Sequence, residues 1–140
     1  MIEKKNFYIN GKWVSPVKPN DFDVIDPSTE EAFAIISLGS VEDTDKAIDA
    51  AKKAFETWKE TTKEERLKLL QKFDEIYNRR WDEMVTAQSK EMGAPLDFAS
   101  ETHTKMGADI TKNIIKILKD FNFEHQFDVN SNNHIRHEPI

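Results

Sequence analysis

The histidines come closest to a metal-binding or acid–base pattern in this sequence. His134 and His137 are three residues apart. Side chains at this spacing lie on one face of a helix but on opposite faces of a strand. Because the residues around them have strand character, we interpret both as polar hairpin residues rather than metal ligands. His103 falls on the apolar face of a predicted helix, where a buried, hydrogen-bonded imidazole is expected more than a general base.

The sequence lacks the residues for thiolate chemistry and for a glycine-rich nucleotide-binding loop. The sequence contains no cysteine, so a thiolate nucleophile, a disulfide and a thiolate metal ligand are all excluded within it. The glycines, Gly11, Gly39, Gly93 and Gly107, lie too far apart for a phosphate-binding loop or a dinucleotide fingerprint. We therefore expect no catalytic residue and no complete cofactor site in this chain.

Charge and hydropathy narrow the class of partner. The formal net charge is −6 without a lysine- or arginine-rich cluster, so we expect no nucleic-acid binding. No apolar run approaches the length that spans a bilayer, and no secretory leader precedes residue 7. We expect a cytoplasmic protein that does not enter the membrane.

Most of the candidate catalytic carboxylates are explained by helix capping. Asp43 follows Ser40 by three residues, and Glu65 follows Thr62 by three residues. Each pair predicts a capping box at the start of a helix, and the helix dipole favours an acid there without any catalytic role.

The elements that position these residues are short strands followed by helices. Asn10-Gly11 predicts a tight hairpin between residues 7–9 and 12–14. Further strands are predicted at 22–25 and 32–38. Three amphipathic helices follow, opening at Ser40, at Thr62 and at Pro95, the second ending at Gly93. The side chains expected to be largely buried between them are Phe55, Trp58, Phe73, Tyr77, Ile110, Ile114 and Ile117.

The tail has a different character. Residues 123–129 alternate apolar and polar side chains, 130–133 read as a turn and 134–138 as a second strand. One face of this hairpin lacks an obvious partner, so we expect it to serve in assembly rather than in the core.

Taken in order, the motifs resemble the aldehyde dehydrogenase superfamily along nearly the whole chain. No single element is specific, but six in the right order form a strong signal. They are Ile-Asn-Gly-Lys-Trp-Val at 9–14, Asp-Pro-Ser-Thr-Glu-Glu at 26–31, Ala-Phe-Glu-Thr-Trp at 54–58, Glu65-Arg66 with Leu70, Glu-Met-Gly-Ala-Pro-Leu at 91–96, and Arg-His-Glu-Pro-Ile at 136–140.

The resemblance implies an α/β fold, α+β as an isolated piece. Residues 1–121 would be the N-terminal part of the dinucleotide-binding domain, and residues 122–140 would start the oligomerisation arm. It also implies a longer parent that oxidises an aldehyde to an acid with NAD or NADP through a cysteine thioester and forms a dimer or tetramer. The cysteine and the dinucleotide loops of that family lie downstream of this region.

One ligand site is implied within the chain itself. Some members of that family hold a structural Na⁺ or K⁺ through strand carbonyls and an acidic side chain, at positions that match Val24, Ile25 and Glu91. Oxygen ligands suit such hard ions. The plain alternative is a glutamate near a helix end with no ion.

Two other interpretations stay open. The chain could be a stand-alone interaction module that binds a full-length dehydrogenase through its hairpin. It could also be a helical packing module unrelated to the family, against which the ordered series of motifs argues.

Overall fold

The N-terminal half is built on a three-stranded sheet. The computed structural model describes residues 1–130 and 132–138. Strand β5 (Glu31–Ser37) is central, with β4 (Asp21–Asp26) antiparallel on one side and β1 (Ile2–Lys4) parallel on the other. The predicted strands at 22–25 and 32–38 are confirmed. Strand β1 was not predicted, because three exposed residues leave no periodic pattern to detect.

A separate hairpin joins β2 (Phe7–Ile9) to β3 (Lys12–Val14). Asn10 and Gly11 both have positive φ, 52° and 73°, as a type I′ turn requires. Tyr8 pairs with Trp13 across the strands, with ring centroids 5.2 Å apart. The hairpin prediction is confirmed.

Both predicted capping boxes are present. In α1 (Val41–Trp58), Ser40 Oγ accepts the Asp43 N–H, and the Asp43 carboxylate accepts the Ser40 N–H at 2.9 Å. In α2 (Lys63–Arg79), Thr62 and Glu65 make the same reciprocal bonds. These bonds satisfy amide groups that the first turn of a helix leaves unpaired, and they fix where each helix begins.

The second predicted helix is divided, which corrects the expectation of one helix from Thr62 to Gly93. It breaks at Arg80 (φ −100°, ψ 22°), where α2 ends and α3 (Trp81–Met92) begins. The turn places the Trp81 indole where its Nε1 donates to Ser100 Oγ at 3.1 Å. Gly93 ends α3 in the left-handed conformation, as predicted.

The third predicted helix is also composite. It consists of a single turn α4 (Leu96–Phe98), a π-helical segment (Ala99–Thr104) and α5 (Lys105–Asp120). In the π-helical segment, Thr104 is completely buried, and its carbonyl accepts the Tyr77 hydroxyl at 3.1 Å. His103 lies in the same segment, partly rather than fully buried, with its ring edge-on to Phe98.

The expected burial of the aromatic and isoleucine side chains is wrong for this chain. Phe55 and Tyr77 are half-buried, but Phe73 is 53% exposed and Ile117 is 64% exposed. Trp58, Ile110 and Ile114 are exposed as well. The amphipathic faces exist as predicted, but within the described residues they are only partly covered. Among the described residues, the buried apolar side chains are Ala34, Val85, Ala99 and Ala108.

The tail forms a shorter hairpin than predicted. Strand β6 (Glu124–Gln126) pairs antiparallel with β7 (His134–Arg136). Arg136 Nε lies 3.1 Å from the Glu124 carboxylate and 2.8 Å from that of Glu138. The part of the expected tail at residues 131, 139 and 140 lies outside the described residues.

Candidate cation site beside the sheet

The turn after β4 is locked against the end of α3. The Asp26 carboxylate accepts the Ser28 N–H at 2.9 Å and the Ser28 hydroxyl at 2.6 Å. These bonds, with a smaller contribution from the charge of Lys90, hold the pKa of Asp26 below its usual value. Pro27 packs on Gly93, where an added Cβ would lie 3.2 Å from the proline ring. The φ of 68° at Gly93 favours glycine, and a larger residue there would also press on the proline ring.

A β-bulge reshapes the sheet at the same place. Val24 is opposite Ala34, but Ile25 is opposite Ala32, so Phe33 is an extra residue in β5. A bulge interrupts the ladder and redirects a side chain. Phe33 and Ala34 consequently line the same groove, and the Lys90 ammonium lies 5.9 Å from the Phe33 ring centroid.

The groove runs between this face of the sheet and α3. Its volume is about 580 Å³. Its floor is apolar, and its rim carries charged side chains of both signs. The apolar lining residues are Ile2, Val24, Phe33, Ala34, Ile36 and Ala87, and the charged ones are Lys4, Asp82, Glu83, Lys90 and Glu91.

Two of the three predicted cation ligands meet at this groove. Val24 is half-buried and Glu91 is exposed, and both line it. Ile25 is the neighbour of Val24 across the bulge, but it is 46% exposed and is not one of the lining residues. Val24 and Glu91 thus border one groove, and Ile25 lies outside its lining.

The residues that sequence reasoning missed are Phe33, Lys90 and Pro27. A bulge has no signature in the local pattern of residue types, so Phe33 read as one more apolar strand residue. The contact of Pro27 with Gly93 joins positions 66 apart in the chain, and local spacing carries no signal of it.

Other candidate clusters are explained by structure. Within residues 1–130 and 132–138, no three histidine or acidic side chains converge as metal ligands. His125 stacks on His137 with ring centroids 5.8 Å apart, and His137 also contacts Phe121. Asp43, only 5% exposed, accepts the Val17 N–H at 2.9 Å in addition to its bonds with Ser40. Hydrogen bonds from Ser40, and then from Val17, lower its pKa.

The carboxylates with lowered pKa are held by caps, by turns or by surface ion pairs such as that of Glu83 with Arg80. Within the described residues, no helix is both long enough and apolar enough to cross a membrane.

Comparison with known proteins places this architecture in a family. Residues 13–140 match the aldehyde dehydrogenase family. The chain is 38% identical over 125 residues to a 3-succinoylsemialdehyde-pyridine dehydrogenase of a Pseudomonas species. This alignment covers 89% of the present chain and 26% of the Pseudomonas protein.

Solved structures agree with the sequence match. The crystal structure of an aldehyde dehydrogenase from Bartonella henselae superposes with a TM-score of 0.92 at 50% identity, over 94% of this chain and 28% of that one. Aldehyde dehydrogenase C from Pseudomonas syringae, solved as a C291A mutant with NAD⁺ and octanal, gives a TM-score of 0.86 at 31% identity, over 89% and 26% of the two chains.

The chain thus spans about a quarter of the length of the relatives that it matches. The fold predicted from the motifs, short strands and amphipathic helices of the N-terminal part of such an enzyme, is confirmed. The chain belongs to the aldehyde dehydrogenase family.

Proposed function

We propose that this chain is the N-terminal part of an NAD(P)-dependent aldehyde dehydrogenase and supplies scaffold rather than reacting groups. The observation that carries the proposal is the match of residues 13–140 to the family together with a sequence that contains no cysteine. Oxidation of an aldehyde through a thioester needs a thiolate nucleophile. That nucleophile and the cofactor loops must come from the remaining three quarters of the enzyme.

The test compares the chain alone with a full-length chimera. The chimera is the Bartonella henselae enzyme in which this chain replaces the matching segment. We expect the chimera to reduce NAD⁺ or NADP⁺ with an aldehyde, and the chain alone to give no reduction. An inactive but folded chimera, or activity from the pure chain, would overturn the proposal.

We also propose a structural Na⁺ or K⁺ site at Val24, Ile25 and Glu91, which is supported by the groove that Val24 and Glu91 line. Backbone carbonyls and one carboxylate form an oxygen donor set that hard cations accept. In the chimera, NaCl or KCl should raise the thermal midpoint above that in choline chloride of equal ionic strength. Glu91→Gln should abolish the difference, whereas Asp82→Asn, on the rim of the same groove, should keep it.

The tail supports an assembly role for residues 122–140 in a cytoplasmic homodimer or homotetramer. Every residue of β6 is exposed, and Phe127 beyond it is 65% exposed. A two-stranded hairpin is marginally stable in water and has open edges that invite pairing. Hydrogen exchange should show weak protection of residues 123–138 in a monomeric sample of the chain. Strong protection there would show that the hairpin packs on its own chain and would contradict an assembly role.

The same exposed edges favour a second candidate, a stand-alone module that binds a full-length dehydrogenase through the hairpin. That module would bind the intact Bartonella henselae enzyme, whereas the N-terminal part of an enzyme would find its position already filled. Sedimentation of an equimolar mixture separates the two.

A further inference from the structure

A cleft separates the corner between α1 and α2 from the tail hairpin, and we call it the corner cleft. Its volume is about 300 Å³, the size of a small-molecule pocket. The corner wall consists of Lys59, Thr61, Lys63 and Arg66, and the hairpin wall consists of Phe123, Glu124, Arg136, His137 and Glu138. In contrast to the groove beside the sheet, the corner cleft is lined mostly by polar and charged side chains.

Two half-buried cations of the corner wall are bonded to neutral oxygens. Lys63 Nζ donates to two carbonyls at the C-terminal end of α5, 3.2 Å and 3.4 Å away. Arg66 donates to Thr61 Oγ1 at 2.8 Å and to two carbonyls at the end of α1, both 3.3 Å away. Within the part of the chain that the structure describes, neither cation forms an ion pair with a carboxylate. An ammonium has three N–H donors and a guanidinium has five, so each cation keeps donors for a ligand.

The remaining charges of the corner cleft have partners of their own. Lys59 Nζ lies 3.2 Å from the Glu56 carboxylate. On the hairpin wall, Arg136 lies between the carboxylates of Glu124 and Glu138, at 3.1 Å and 2.8 Å from its Nε. That group of three keeps one excess negative charge, whereas the corner wall keeps the two positive charges of its unpaired cations. An anion in the cleft should therefore lie against the corner wall.

We propose that the corner cleft binds a small oxyanion with two negative charges, a phosphate group or a dicarboxylate, against Lys63 and Arg66. A guanidinium matches the paired oxygens of phosphate and carboxylate, and an ammonium adds a compact charge beside it. The amides of Thr62 and Glu65 are already bonded in the capping box, so the two cations supply the attraction rather than the helix terminus. The net charge of −6 disfavours a long polyanion. This inference goes beyond the proposed function, since a scaffold needs no such ligand.

The test is an NMR titration of the chain with inorganic phosphate and with succinate, at an ionic strength held constant with NaCl. We expect saturable shifts of the amides of residues 59–66, with a Kd of about 1 mM or lower. The probe that binds more tightly distinguishes a phosphate-bearing ligand from a dicarboxylate.

Matched variants assign the binding to the corner wall. Lys63→Gln should weaken it at least about tenfold, whereas Lys63→Arg keeps the charge and should retain it. Lys68→Gln, at an exposed position of the same helix, is the control and should leave the affinity unchanged. Glu124→Gln should tighten binding severalfold, because it removes a negative charge from the opposite wall. A variant that merely disturbed the fold would not give such a gain.

The inference is overturned if neither probe gives saturable shifts, if Lys68→Gln weakens binding as much as Lys63→Gln, or if Glu124→Gln does not tighten it. In the active chimera, phosphate should raise the thermal midpoint above that in NaCl of equal ionic strength, and Lys63→Gln should abolish the difference. Loss of the effect in the chimera would show that the rest of the enzyme fills the cleft. That result would overturn the inference and leave the proposed function intact.

Discussion

The contact of Gly107 with Tyr77 gives a prediction whose sign opposes helix propensity. At an ordinary position inside a helix, Gly→Ala stabilises by about 1 kcal/mol. At Gly107, the added Cβ would lie 2.5 Å from Tyr77 Oη and 3.1 Å from Cζ, so the ring or the helix must move. Overpacking of this kind costs about 1–3 kcal/mol. The displaced hydroxyl also loses its bond to the Thr104 carbonyl, which is worth about 1 kcal/mol.

The balance is a net destabilisation of about 1–3 kcal/mol for Gly107→Ala. Urea unfolding of the chain followed by circular dichroism measures it. Asn113→Ala, at an exposed position of α5, is the propensity control and should stabilise by about 0.5 kcal/mol.

A double-mutant cycle isolates the clash. Tyr77→Phe alone should cost about 1 kcal/mol for the lost hydrogen bond. It also removes the atom nearest the new Cβ, so Gly107→Ala should cost about 1 kcal/mol less in the phenylalanine background. If Gly107→Ala stabilises the chain, or if the two effects simply add, the packing explanation is wrong.

Three further outcomes are expected. Phe73→Ala should cost about 1 kcal/mol in urea unfolding, because this ring is only about half buried, and a loss above about 3 kcal/mol would show that it is enclosed. Asp43→Asn should reduce the fall in thermal midpoint below about pH 4. The lowered pKa of Asp43 means that its contribution is complete above the ordinary aspartate pKa and is lost as pH falls through the folded value. An unchanged pH profile would contradict this. Arg66→Lys should cost about 1–2 kcal/mol, because its guanidinium bonds Thr61 Oγ1 and the carbonyls ending α1 and also lies over Trp58. If the Arg66→Lys variant has the thermal midpoint of the wild type, a lysine ammonium is enough to replace these guanidinium contacts, and the prediction is wrong.

Features determined by neighbouring residues were predictable from the sequence. The turn at Asn10-Gly11, the capping box at Ser40 and the left-handed end at Gly93 each depend on residues within one helical or hairpin turn. The order of such features was also sufficient to indicate the family and its fold.

Features determined by distant contacts were not predictable. The break at Arg80 has no glycine or proline to mark it, and it follows the packing of Trp81 on the π-helical segment. The apolar pattern identified a face of α5, with Ile110, Ile114 and Ile117, that favours burial, but residue spacing does not show whether the covering surface lies within the same 140 residues. For the proposed cation site, the resemblance supplied Val24, Ile25 and Glu91, and the bulge that shapes the groove beside the strand became visible only in the folded sheet.

The parallel pairing of β1 with β5 has a consequence for biosynthesis. Ile2 pairs with Ala34, a separation of 32 residues. At roughly 5–20 residues per second, the ribosome needs about 2–6 s to synthesise the partner after the first strand. During that interval β1 has no partner strand. The hairpin of β2 and β3 can already form, because its two strands are neighbours in the chain. Both pairings of this sheet need β5. Strand β4 is joined to β5 by a short turn, whereas β1 must close a loop of about 30 residues, so we expect β1 to be the last strand to join the sheet.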